Sequence, residues 1–185
     1  MSLVDLIAQA DERGLAVSGL ACLDRCVPLL GGDDEVLRPL WASLARAAPA
    51  GDWAQRLEEA RGTLDAAAGG ADEAAVLAHR MLAGAPAERS AAGLREWADD
   101  CSLAALRIHR LLDGAADDCG LADARCDDRP DGLSPLLAAE LRRQSTVLEL
   151  LAAHGPAGLR TAREVCTEGR RVLRAVVSRR SRRDT

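Results

Sequence analysis

The chain has 185 residues, the size of one ordinary domain and enough to bury a core without disulfide or metal staples. Its apolar 48% is dominated by 37 Ala and 29 Leu, with ten Val, two Ile and no Phe or Tyr, which excludes an extensive sheet and points to an all-α fold. The net charge of −5 speaks against a nucleic-acid partner, and no apolar run approaches the roughly 18 residues of a membrane span.

Arg supplies all 24 positive charges, and Lys and Asn are missing along with Phe and Tyr. These absent residues share A/T-rich codons, so a GC-rich bacterial genome produces the bias without selection for phosphate binding. The opening MSLVDLIAQADERG has neither the basic start nor the small-residue cleavage site of a signal peptide, which predicts a cytoplasmic protein. Six cysteines are too sparse for a disulfide scaffold and are expected as thiols or ligands. In a core without Phe or Tyr, buried Cys also serves as a small apolar filler.

Ser2 is placed to cap a first helix running to about Arg13, with Leu3, Leu6, Ile7 and Ala10 on one face. Gly14 and Gly19 are expected to interrupt it before a second helix carries Leu20, Leu23, Val27 and Leu30 inward and stops at Gly31-Gly32. Asp33 caps a third helix with Leu37, Leu40, Trp41 and Leu44 inward, bent at Pro39 unless that residue lies in the first turn. Trp53, Leu57, Ala60 and Leu64 mark a helix from Asp52 to about Ala68, and another spans about Asp72 to Ala83.

Ser90 opens the most regular helix, in which Leu94, Trp97, Ala98, Cys101, Ala105, Ile108 and Leu112 form an unbroken stripe. Residues 115 to 132 hold six Asp with Gly and Pro and no periodicity, and read as an acidic loop. The next helix has Ser134 at its N-cap, Pro135 at its first position and Gly155-Pro156 at its end. The last turns Leu159, Ala162, Val165, Cys166, Gly169, Val172, Leu173 and Val176 inward and its charges outward. The expected architecture is an up-and-down antiparallel bundle of four long helices with shorter N-terminal ones over residues 1–178, followed by a basic, disordered tail at 179–185.

Cys22 and Cys26, four apart on a helix, share one face, with Cβ atoms about 5 to 6 Å apart. That is too far for a bridge, but two thiolates could serve one metal completed by another helix. Core packing is the competing expectation for both. Cys119 and Cys126 flank the acidic loop, whose carboxylates disfavour the thiolate. His79, His109 and His154 all fall near helix C-termini, where the dipole favours imidazolium. There is no nucleophile elbow, phosphate loop, dinucleotide fingerprint, HExxH or pair of Glu-x-x-His motifs.

Residues 170–185 carry seven Arg and one Asp, so a basic end sits on an acidic body. Arg179, Arg180, Arg182 and Arg183 are the candidate partner contacts there. The sequence-level reading is a non-enzymatic helical-bundle protein acting through a protein partner, as a homo-oligomer, with no cofactor. The alternatives are a thiol-based metal-binding or redox-responsive protein using Cys22 and Cys26, and a small enzyme with a pocket inside the bundle.

Overall fold

A computed structural model describes residues 1–45, 50–65, 72–114, 120–127 and 132–182. Ser2 starts the first helix, α1 (Leu3–Gln9), through a capping box: its hydroxyl accepts from the Asp5 amide at 3.2 Å while the Asp5 carboxylate accepts from the Ser2 amide at 3.2 Å. The helix stops short of Arg13 because Asp11 caps the next one, accepting from the Gly14 amide at 2.7 Å.

Helix α2 (Glu12–Leu30) then runs unbroken through Gly14 and Gly19, where an interruption was expected. Packing explains the second glycine: a Cβ at Gly19 would stand 2.6 Å from the Trp97 ring, so the bare backbone lets the indole lie against it. Gly31, at φ 70°, ends the helix in the left-handed conformation.

Helix α3 (Arg38–Ala45) begins later than Asp33, whose carboxylate instead accepts from the Glu35 amide at 2.8 Å in a turn. Pro39 consequently falls in the first turn, where its missing N–H leaves no helical bond unmade. Then come α4 (Ala50–Asp65) and α5 (Glu73–Ala83); the expected extension of α4 to Ala68 lies outside the described residues.

Helix α6 (Ala91–Leu112) is capped by Ser90, and a short α7 (Leu121–Cys126) forms inside the acidic segment. Gly120, at φ 76°, turns the chain into α7, and Leu121 and Ala124 are buried; two apolar anchors suffice for a single turn where no long periodicity exists. Helix α8 (Pro135–His154) starts on Ser134 and a 3₁₀ turn (Gly155–Gly158) leads into α9 (Leu159–Ser181).

The fold is all-α, with no strand among the described residues, and none of its helices there is long and apolar enough to cross a membrane. Helix α2 packs against α6, α9, α5, α8 and α3. It is buried on nearly every side from Gly14 to Val27, the pattern of a helix that is apolar all round. One apolar cluster joins α1 to α9; of the predicted seam it includes Leu94, Trp97, Ala98, Cys101, Ala105 and Ile108, while Leu112 is half-buried against it.

Candidate functional site

Because α2 has no solvent face, its two adjacent charges, Asp24 and Arg25, are taken into the interior. Arg25 meets Glu140 of α8: its Nε donates at 2.9 Å to Oε2 and its Nη2 at 2.6 Å to Oε1, a bidentate fork between groups 1% and 0% exposed. Gln144, one turn along α8, donates to Glu140 Oε1 at 3.0 Å, and Ser102 of α6 donates to the Gln144 carbonyl oxygen at 2.5 Å. His109 closes the arrangement. Its Nδ1 lies 2.7 Å from the Ala105 carbonyl, so Nδ1 carries a proton, and Nε2 faces Glu140 Oε2 at 3.6 Å.

A second buried pair lies beside the first. Arg170 of α9 donates to Asp24 Oδ1 and the Trp41 indole N–H donates to Oδ2 at 3.0 Å. Arg170 was expected to face water. Close packing at the neighbouring Gly169 accompanies its burial, since that residue's missing side chain leaves room for the Arg25 stem, which a Cβ there would strike.

Burial and ion pairing pull the titrating groups of this interior in different directions. Burial pushes the Glu140 carboxyl up, but Arg25, His109 and the hydrogen bonds from Arg25 and Gln144 outweigh it and hold it down to about 2. The carboxyl of Asp24 is raised instead, burial outweighing Arg170 and Trp41. The guanidinium of Arg25 also touches sulfur: Nη2, already bound to Glu140, lies 3.4 Å from Cys22 Sγ, and the remaining nitrogen, Nη1, lies 3.6 Å from Cys166 Sγ. Desolvation nonetheless pushes both thiols up to about 12, and Cys26 and Cys101 are likewise raised by burial. Burial thus favours the thiol form of the four cysteines, and ion pairing favours the carboxylate of Glu140.

Cys22 and Cys26 are core residues, and Cys101 and Cys166 are buried with them. No group of three or more His, Cys, Asp or Glu side chains placed to hold a metal occurs among the described residues. Cys126 is exposed, whereas Cys119 lies outside the described residues. His79 is half-buried and His154 exposed, so of the three histidines His109 is the one drawn into the polar network.

Helix α9 continues through Ser181, so Arg179 and Arg180 stand on its last turn. Arg180 Nη1 donates to the Leu111 carbonyl at 3.1 Å, tying this end to the end of α6, and Arg182 is exposed beside it. Arg183 lies outside the described residues. Farther up α9, Arg163 and Arg174 pair with Glu35 and Asp34 of the turn before α3.

Among the described residues, three surface grooves, each open to a ligand, are lined by none of Arg25, Glu140, His109, Gln144 and Ser102. The most apolar, about 460 Å³, runs between α5, α6 and α7 over Leu77, Met81, Trp97, Leu103, Ala104 and Leu121. Its walls form an antiparallel hairpin: Arg107 pairs with Glu73 at 2.6 Å at one end, and the Trp97 indole N–H donates to the Met81 carbonyl at 2.9 Å at the other. Leu103, 36% exposed in the middle of the otherwise amphipathic α6, opens into it.

Sequence reasoning placed the thiols in the core but missed Arg25, Asp24, Glu140, Gln144 and Arg170. The available signal was the lack of any polar face on the segment around Asp24-Arg25, which leaves those charges nowhere to go but inward. No protein-family model, curated protein or solved structure matches this chain.

Proposed function

We propose that this is a non-enzymatic helical-bundle protein that acts by holding a protein partner, with the α5–α6–α7 groove as its docking surface. The observation that carries the reading is the apolar lining of that groove, where exposed Leu103 and half-buried Leu77 stand over Met81 and Leu121 of the core. The volume of about 460 Å³ falls within the range of ligand-sized sites. The interior supports the reading from the other side, since its charged groups are clamped against one another and line none of the three grooves. Arg179, Arg180 and Arg182, at the end of α9, form a second contact for an acidic patch on the same partner.

In this reading the long helices form an up-and-down bundle that serves as a rigid cytoplasmic scaffold for the groove, and a second copy of the chain is one class of partner. The test is purification of the full chain from its own cells beside the Leu103→Arg variant. Leu103 is exposed, so the change leaves the core intact while setting a charge on the groove floor. A protein retained at near-equal amount by the wild type and lost from the variant is the expected result. Identical retention by both proteins would move the interaction elsewhere on the surface.

A further inference from the structure

Resting on the groove reading, we infer that the partner segment is an amphipathic helix of about three turns carrying an acidic residue on one flank of its apolar stripe and a basic residue on the other. The groove's register carries the inference. Glu73 and Arg107 are paired across the antiparallel hairpin, which sets one level of α5 against one level of α6. Arg80 is seven residues beyond Glu73 and Asp100 is seven residues before Arg107, so both stand about 10 Å along their helices from that pair, at the same level on opposite walls.

Neither side chain has an ion-pair partner among the described residues, and both are exposed. Met81, Leu103 and Ala104 line the same groove as these two charges. A cation and an anion facing each other over an apolar strip complement an occupant with the opposite pair of charges and an apolar edge. The 11 residues of α5 span about 16 Å, the length of three helical turns. A third helix fits the cleft between two packed helices by setting its side-chain ridge into their groove. It also brings no unpaired backbone groups onto the apolar floor, which an extended segment would.

The probes are three labelled Ala-based helical peptides of about 18 residues, long enough to hold helix in water, with a leucine stripe at helical spacing. One carries Glu on one flank and Lys on the other, the second Glu on both, the third Lys on both. Because turning a helix end for end exchanges its flanks, the comparison is independent of docking direction. By fluorescence anisotropy the full-length wild type should bind the mixed peptide about threefold to fivefold more tightly than either other, the range of exposed ion pairs. Arg80→Glu should shift the preference to the double-Lys peptide and Asp100→Arg to the double-Glu peptide, while Leu103→Arg weakens all three. An unchanged order of preference in the two charge variants would overturn the inference. So would failure of all three peptides to bind while the wild type still retains a partner that Leu103→Arg loses, a result that leaves the groove reading standing.

Discussion

Arg25 and Glu140, 115 positions apart in the chain, lie against each other through a bidentate fork that joins α2 to α8 in the centre of the molecule. Breaking such a pair from one side leaves a bare charge in the interior, at a cost of about 3 to 5 kcal/mol. Arg25→Met should therefore lower the free energy of unfolding by about that amount, measured by urea denaturation. Arg25→Met combined with Glu140→Leu should recover most of the loss, because no unpaired charge remains. A double variant no more stable than the single one would show that the fork is worth more than its desolvation.

The same carboxylate makes stability depend on pH in a known direction. Glu140 is held down to about 2 in the fold against an ordinary 4.5, so its contribution is fully present above about 4.5 and is lost as pH falls towards 2. At about 1.4 kcal/mol per unit, the amount is on the order of 3 kcal/mol. Asp24 works in the opposite sense: its carboxyl is raised, so its contribution is present at low pH and lost as pH rises. Comparing the wild type with Glu140→Gln isolates the first effect, since Asp24 is common to both. The stability difference between them should shrink as pH is lowered from 6 to 2, and a difference that stays constant contradicts the assignment.

Gly19 is a test of close packing, since helix propensity alone makes Ala better by about 1 kcal/mol. Here Gly19→Ala puts a methyl 2.6 Å from Trp97, whose ring is held edge-on to Trp53 at a centroid distance of 6.1 Å and by its bond to the Met81 carbonyl. The overpacking should win, with a net loss of about 1 to 2 kcal/mol and a shift in tryptophan fluorescence. A gain in stability would mean that α2 and α6 part easily.

These cases show what a sequence of this kind reveals. The stripe from Leu94 to Ile108 and the caps at Ser90 and Ser134 were legible because period and capping chemistry are local. Gly19 was misread as a break because its reason, Trp97, sits 78 positions away. Arg25 and Glu140 were unreadable as a pair because nothing local specifies that two charges on separate helices meet in the dry centre. Likewise, the groove exists only once α5 and α6 are set side by side, and nothing local to Arg80, Asp100 or Leu103 brings them to one cleft.

The cysteines divide sharply in burial. With Cys22 and Cys166 pushed up to about 12, and Cys26 and Cys101 also raised and buried, these four should resist iodoacetamide in the native protein, while exposed Cys126 reacts. Mass spectrometry of the alkylated chain reads the pattern directly. Cys22→Ala with Cys26→Ala should cost stability without altering metal content, which elemental analysis should place at zero in both proteins. About one equivalent of zinc or copper lost from the double variant would establish the thiol-metal alternative instead.

Occupancy of the groove between α5, α6 and α7 by a protein partner can be read inside the source cells with a photo-crosslinking amino acid placed at Leu103 in the full chain. Leu103 lines the groove, and Glu149, exposed on α8, serves as the control position. Irradiation should join the Leu103 probe to one protein, a distinct partner or a second copy, with the attachment mapped to a helical segment and with no such adduct from Glu149. The same set of adducts from both positions, or none from Leu103, would contradict the account.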